Sequence, residues 1–128
     1  MKSWDLGGLN LKPRLPEILS SSDDARVIAL DLAAGETLEE HEVHERAFLL
    51  VLVGEIEVTG NGAEIRGGRG LLVEIEPRER HRVEATADAR LLLLLTPWPG
   101  AGHPGALELR EKLYTRRHAA KRSDVAEG

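Results

Sequence analysis

Residues 35–58 have the sequence GETLEEHEVHERAFLLVLVGEIEV, and this stretch decides the fold. Its first eleven residues hold two histidines and five glutamates, whereas residues 47–53 are hydrophobic without exception. A hydrophobic run of this length that ends at a glycine is typical of one buried β-strand. Histidine and glutamate are both metal ligands, so the polar half of the stretch raises the question of a metal site beside that strand.

Short strands separated by turn signals continue on both sides of this stretch. Eight strands are predicted between residues 26 and 96, with turns at segments such as GNG (60–62) and TAD (86–88). The absence of helical spacing between them predicts an all-β fold, an antiparallel barrel or jelly roll. We therefore predict an irregular N-terminal arm over residues 1–25 and the β-barrel over residues 26–97.

The last part of the chain, residues 98–128, is predicted as a Pro/Gly loop followed by a C-terminal helix. Prolines and glycines interrupt regular structure at its start. Helical spacing then runs over residues 106–122, with Leu109 and Leu113 four residues apart and Pro104 near the expected start.

Two predicted strands, AFLLVLV (47–53) and ARLLLLLT (89–96), are hydrophobic on both faces. One face fills the barrel, and an exposed second face would alternate with polar residues. The second face therefore needs a cover, which the N-terminal arm, the C-terminal helix or a second subunit can supply. We expect a homodimer.

Composition limits the functions that the chain can have. Its 128 residues form one domain and include no cysteine, which excludes disulfides and thiolate ligands and leaves His, carboxylate and water for any metal. Residues 1–108 carry 11 basic and 19 acidic side chains, which disfavours a nucleic-acid partner. With neither a signal peptide nor a hydrophobic run of membrane-spanning length, we expect a cytoplasmic protein that does not enter a membrane.

Two spaced motifs resemble those of the cupin superfamily. The first cupin motif is Gly, five residues, His-x-His, three or four residues, Glu, six residues, Gly; here Gly35, His41 and Gly54 match it. The second is Gly, five residues, Pro-x-Gly, two residues, His, three residues, Asn; here Gly70 and His81 match it. The resemblance covers about residues 26–96 and implies a cupin jelly-roll β-barrel.

The chain departs from this family at most of its metal ligands. The resemblance implies that two histidines, the glutamate and the later histidine bind one divalent metal at the centre of the barrel. Only His41 and His81 remain, because Val43 stands at the second histidine and Ala47 at the glutamate. In the second motif the proline, glycine and asparagine are replaced by Glu76, Arg78 and Ala85.

Residues of the short connection between two strands can replace the missing ligands. His44 and Glu45 lie there, and a bulge would turn either one inward. His41, His81 and His44 would form a three-histidine site, and Glu45 in place of one histidine gives two imidazoles and a carboxylate. Both sets suit one divalent transition metal, Zn, Mn, Ni or Fe, with open positions.

A metal-free alternative explains the same residues without a cofactor. The charged segment LEEHEVHER then acts as a solvated edge strand that prevents association between strands. His41 and His81 become inward polar residues, and Val43 and Ala47 line a hydrophobic cavity for a small ligand. Arg78, at the bend before His81, would contact an anionic substrate or a neighbouring glutamate.

Three functional hypotheses follow. The chain is a metal-dependent cupin enzyme similar to the dioxygenases and isomerases of that superfamily, a metal-free cupin that binds a small molecule in its barrel, or an accessory protein that acts through its dimer or partner surface. The fold alone does not choose among them, because one fold hosts many activities.

Overall fold

The computed structural model describes residues 1–41 and 44–97, and of residues 39–41 it describes the backbone only. The strands within this part of the chain are β1 (Glu17–Ser21), β2 (Arg26–Leu32), β3 (Thr37–His41), β4 (Arg46–Val53), β5 (Glu55–Gly60), β6 (Ala63–Gly68), β7 (Leu72–Ile75), β8 (His81–Ala85) and β9 (Ala89–Thr96). The predicted C-terminal helix lies outside the described residues. Among those that are described, no helix has the length and hydrophobicity needed to cross a membrane.

The nine strands form two sheets that enclose one core. The five-stranded sheet has the order β1-β2-β9-β4-β7, and the four-stranded sheet has the order β3-β8-β5-β6. All pairings are antiparallel. Because consecutive strands alternate between the sheets over much of the chain, the fold is a jelly roll, and the all-β prediction is confirmed.

Strand β1 lies inside the segment that the sequence predicts as an irregular arm. Residues Glu17–Ser21 pair with β2, with a bulge between Ile18 and Ser20. The strand is short and follows Pro16, and only one of its sides is paired, so its sequence carries a weak strand signal. Pairing with β2 satisfies backbone groups along an edge that would otherwise face solvent.

The remaining N-terminal residues are held on the barrel by polar contacts. Arg90 of β9 donates two hydrogen bonds to Asp31 of β2, at 2.8 and 2.9 Å, and a third to the carbonyl of Leu6 at 2.9 Å. The hydrogen bonds to Asp31 raise the pKa of Arg90 and keep it charged. Leu11 of the arm is buried, and Arg14 N donates to the Asp31 carbonyl oxygen at 3.0 Å, so residues 6–14 pack on this side of the barrel.

The core between the sheets is aliphatic. On β4 every second side chain is buried, with Ala47, Leu49 and Val51 pointing inward and Phe48 and Leu50 outward. All members of the hydrophobic core cluster are Leu, Ile, Val or Ala. A buried polar side chain costs free energy unless it is hydrogen-bonded or paired with an opposite charge. The few polar residues buried beside this aliphatic core are therefore of interest.

The outward face of the five-stranded sheet is hydrophobic too. Phe48 and Leu50 of β4 lie beside Leu94 and Leu92 of β9, and all four are half-buried. Leu72 of β7 pairs with Leu50 and is 60% exposed. We call these five residues the outer sheet face. An exposed hydrophobic patch of this kind is typical of a surface that another segment or another molecule covers.

Gly54, directly after β4, packs closely against the turn between β8 and β9. Both Gly54 and Gly35 have positive φ, +86° and +89°. A Cβ on Gly54 would lie 2.7 Å from Ala89 Cα and would overlap the carbonyl oxygen of Asp88, whereas a Cβ on Gly35 would meet open space. The two glycines therefore share a conformational requirement but differ in packing.

We expect Gly35→Ala to lower the free energy of unfolding by about 1 kcal/mol, the cost of a left-handed alanine. Gly54→Ala should cost roughly 2 kcal/mol more, because the β8–β9 turn must move. Urea denaturation of both variants measures this difference. Equal destabilisation would contradict the close approach of Gly54 to that turn.

Candidate functional site

The buried part of the described chain contains three polar side chains: Arg26, Glu45 and His81. Arg26 begins β2, Glu45 immediately precedes β4, and His81 begins β8. These three positions lie at one end of the barrel, because β7 ends beside the start of β4 and the short turn after it leads into His81. We call this end the barrel mouth.

His81 is held in one orientation by its own turn. Its side chain is 6% exposed, and its Nδ1 lies 3.1 Å from the carbonyl oxygen of Glu79. A carbonyl oxygen only accepts, so Nδ1 carries the proton and donates. In the neutral ring the lone pair then resides on Nε2, which is the arrangement of a histidine that binds a metal through Nε2.

Gly60, at the end of β5, lies against the backbone at the start of β8, where a larger residue would contact His81. A Cβ on Gly60 would lie 2.6 Å from the carbonyl oxygen of Arg80 and 3.4 Å from the Cβ of His81. The end of β5 therefore packs its backbone directly against the start of β8. The sequence motifs do not include this glycine, and only the pairing of β5 with β8 reveals its role.

Arg46, the first residue of β4, lies on the outer side of the strand. Its Nη1 donates to Glu74 at 2.7 Å and to Glu76 at 2.6 Å, and these hydrogen bonds raise the pKa of Arg46. Since side chains of a strand alternate, Ala47 faces inward. Glu45, in the bend that immediately precedes β4, is buried as well.

The burial of the two alternative ligands differs accordingly. The side chain of Glu45 is 4% exposed, and that of His44 is exposed. Of the two residues that the sequence left open, Glu45 is therefore the buried one. Burial of a carboxylate is costly without a counter-charge or hydrogen-bond donor, and Glu45 does have an interaction partner.

His41 is the register partner of His81 across β3 and β8, with a bulge between Leu38 and His41. The imidazole of His41 and the whole of Val43 lie outside the described side chains. Among the side chains that are described, no group of three His, Asp or Glu residues has the arrangement of a metal site. Of the ligands that the sequence predicts, Glu45 and His81 are buried and His44 is exposed.

Ala47 faces the core at the position where the related motif has glutamate. It is buried and pairs with Ile75 of β7. Ala85, at the asparagine position, is buried as well. Both alanines line the interior with methyl groups, so neither position supplies a polar side chain to the mouth.

Arg78 lies in the turn between β7 and β8 and is exposed. Its φ of +64° is left-handed, the conformation for which the motif uses glycine. The same turn is closed by hydrogen bonds between Glu79 N and the Glu76 carbonyl oxygen at 3.1 Å and between Glu76 N and Glu79 Oε1 at 3.0 Å. Arg78 thus shapes the turn that carries the Glu79 carbonyl, and its side chain does not line the core.

Arg26 is absent from the predicted site residues, because a charged residue at the first position of a strand indicates only a boundary. Its alternation with Ile28 and Leu30, both in the core, could have indicated an inward side chain.

A second concave surface lies at the opposite end of the barrel. It is a cleft of about 350 Å³ between the N-terminal arm and the turns after β2 and β8, lined among others by Pro13, Val53, Asp88 and Arg90. The Arg90 guanidinium there is engaged by Asp31 and the Leu6 carbonyl. Because its main charged group already holds the arm in place, we assign this cleft a structural role.

Comparison with known proteins points to one family. A family model described as "Cupin domain" (Cupin_2) matches residues 29–97. An RmlC-like cupin protein from Desulfovibrio desulfuricans is 26% identical, with a TM-score of 0.66 over 76% of this chain and 97% of that chain.

Two further structures share the fold at lower identity. The cupin domain of Cnp3 from Schizosaccharomyces pombe is 18% identical, with a TM-score of 0.67 over 74% of this chain and 73% of that chain. A cupin superfamily protein from Desulfitobacterium hafniense is 18% identical, with a TM-score of 0.65 over 72% and 86%. No curated protein matches the chain.

The hydrogen bond from His81 to the Glu79 carbonyl predicts the tautomer of this ring. We expect long-range ¹H–¹⁵N correlation spectra at neutral or mildly alkaline pH, recorded without metal, to show a protonated Nδ1 and an unprotonated Nε2 for His81. His81→Gln assigns the signal, and the exposed His44 provides a comparison in the same spectrum. A His81 ring protonated at Nε2 alone would contradict the geometry.

Proposed function

The chain belongs to the cupin family, and from this premise we propose that it is a metal-binding cupin with a rearranged ligand set. His41, His81 and Glu45 bind one divalent transition metal, Zn, Mn, Ni or Fe, at the barrel mouth. The observation that carries the proposal is the burial of Glu45 and His81, together with Arg26, at one end of a core that is otherwise aliphatic.

Three features of the mouth support this ligand set. His81 presents Nε2 as its lone-pair nitrogen because Nδ1 faces the Glu79 carbonyl. His41 is its cross-strand partner, and residues directly opposite in an antiparallel pair share a face of the sheet. Glu45 supplies the negative charge that the motif lost at Ala47, from two residues earlier on the same face of the chain.

The ligand set also suggests a class of activity. Two imidazoles and one carboxylate would hold a divalent metal with open positions, and the bound metal would supply activation of a substrate or of oxygen. We therefore propose an enzyme of the dioxygenase or isomerase type in preference to a metal-free binding protein. In the metal-free alternative the same buried groups serve only to hydrogen-bond each other and a small ligand.

Metal content of the purified protein tests the proposal. We expect about one transition metal per chain in wild-type protein purified without chelator, and less than about a tenth of an equivalent in His81→Ala and Glu45→Gln. His44→Ala is the matched control, because His44 is adjacent to Glu45 but exposed, and it should retain the metal.

Two outcomes of that experiment would oppose the proposal. Wild-type protein that neither contains nor takes up a metal would favour the metal-free alternative. Loss of metal in His44→Ala with full retention in Glu45→Gln would instead favour the three-histidine set. Circular dichroism of each variant shows that the barrel is intact.

We propose further that two copies of the chain pair through the outer sheet face. Its hydrophobic part runs from Leu92 and Leu94 of β9 across Leu50 and Phe48 of β4 to Leu72 at the start of β7. Glu74 of β7 lies beside Phe48 at its edge. The alternative cover is residues 106–122, which follow the same sheet in sequence. A homodimer forms through the outer sheet face only if residues 106–122 do not cover it.

Light scattering coupled to gel filtration distinguishes these covers. We expect a dimer for wild-type protein and a monomer for Leu72→Glu, because a buried glutamate on each subunit opposes association. Ile65→Glu is the control, since Ile65 is also exposed, at 42%, but lies on the four-stranded sheet. A monomeric wild-type protein, or a dimeric Leu72→Glu variant, would contradict pairing through this face.

A further inference from the structure

The turn GNG (60–62) between β5 and β6 lies outside the proposed ligand set and contains an asparagine followed by a glycine. Asn61 and Gly62 both have positive φ, 51° and 74°, which is the combination that a two-residue type I′ hairpin turn requires. Both residues are exposed. The sequence has two asparagines and no glutamine, so Asn61 and Asn10 are its only side-chain amides.

The backbone nitrogen of Gly62 is open to the Asn61 side chain. Within the described part of the chain, the Gly62 N–H donates no hydrogen bond to another backbone group. Glycine has no side chain beside this nitrogen, and even a Cβ on Gly62 would meet open space. Neither hydrogen bonding nor crowding therefore prevents the nitrogen from approaching the carbonyl carbon of the Asn61 amide.

The amide of Asn61 connects its turn with the turn between β7 and β8. Asn61 Nδ2 donates to Glu79 Oε2 at 3.1 Å, and a single exposed hydrogen bond of this kind opens readily. Glu79 also accepts from Glu76 N through Oε1 at 3.0 Å and from His81 Nδ1 through its carbonyl oxygen at 3.1 Å. The residue that orients the His81 ring is thus held on one side by Asn61.

We propose that Asn61 is a site of spontaneous deamidation. The Gly62 nitrogen attacks Cγ of Asn61 and loses its proton to solvent, the Cγ–Nδ2 bond breaks, and the amide nitrogen takes up a proton and leaves as ammonia. Water then opens the resulting five-membered succinimide at either of its carbonyls, which yields aspartate or isoaspartate at residue 61. The reaction consumes water alone and needs neither an oxidant nor a reductant.

Either product alters the contact between the two turns. The donor Nδ2 is lost, and a carboxylate takes its place beside the carboxylate of Glu79, so that attraction becomes repulsion. Isoaspartate also lengthens the backbone of a two-residue turn and so disturbs the pairing of β5 with β6. Deamidation at the surface therefore loosens the β7–β8 turn, which carries the carbonyl oxygen that orients His81.

Peptide mapping by mass spectrometry tests the site. Folded wild-type protein is incubated for several weeks at mildly alkaline pH and digested with trypsin, which releases Asn61 in residues 47–66 and Asn10 in residues 3–14. We expect deamidation in residues 47–66, with isoaspartate detected by isoaspartate methyltransferase. Residues 3–14 should stay intact over the same period, because the buried, branched side chain of Leu11 follows Asn10 and obstructs the corresponding attack.

Gly62→Ala assigns the reaction to attack by the nitrogen of residue 62. We expect this variant to slow the deamidation of Asn61 several-fold, since the added methyl group crowds the attacking nitrogen. Gly35→Ala is the matched control, because Gly35 also has positive φ and a Cβ there also meets open space, but it lies in another turn. It should leave the rate of deamidation unchanged. Circular dichroism shows that both variants are folded.

A double variant tests the effect on Glu79. We expect Asn61→Asp, which is identical to one product, to lower the urea midpoint of unfolding. Adding Glu79→Gln should restore the midpoint, because the amide and the carboxylate then exchange places across the same contact. Glutamine also keeps an oxygen that accepts from Glu76 N.

Deamidation at Asn61 would be refuted if the residue stayed intact during an incubation in which a synthetic peptide of residues 55–66 deamidated. Equal rates in Gly62→Ala and wild-type protein would refute attack by the Gly62 nitrogen. An unchanged urea midpoint in Asn61→Asp would refute the loosening of the β7–β8 turn. None of these measurements involves a metal, so their outcome is independent of the proposed ligand set.

Discussion

The alternation of side chains along β4 decides which of its residues face the core. Ala47, Leu49 and Val51 are buried between the sheets, whereas Arg46 lies on the outside and contacts Glu74 and Glu76. A surface ion pair of this kind contributes little free energy, and burial of the aliphatic side chains contributes more. Glu45, which immediately precedes β4, is buried at the same end of the strand.

The barrel combines an aliphatic body with one polar end. Leu, Ile, Val and Ala fill the space between the sheets, and burying them supplies the main driving force for folding. Arg26, Glu45 and His81 interrupt this pattern at the mouth.

Much of the fold follows from the sequence, because alternation and turn composition are local signals. Eight of the nine described strands were predicted, and the motif glycines Gly35, Gly54 and Gly70 all have the positive φ that only glycine adopts freely. Strand β1 was missed, since a short segment at a sheet edge owes its structure to pairing with β2 and not to its own composition.

The site was predictable only in part. His81 follows from the motif spacing, but the burial of Glu45 and the exposure of His44 depend on how the chain packs at the barrel mouth. Arg26 depends similarly on Ser21 and on its place in an inward row. These orientations depend on contacts between residues that are distant in sequence, and such contacts cannot be deduced from a single sequence.

The proposed ligand set of His41, His81 and Glu45 is tested most directly by X-ray absorption spectroscopy at the edge of the metal that the wild-type protein binds. This ligand set predicts a first coordination shell of two imidazole nitrogens and one carboxylate, completed by oxygen from solvent. In Glu45→Gln the carboxylate contribution should be lost. A shell with three imidazoles, or one unchanged by Glu45→Gln, would contradict the claim that Glu45 replaces the missing ligand.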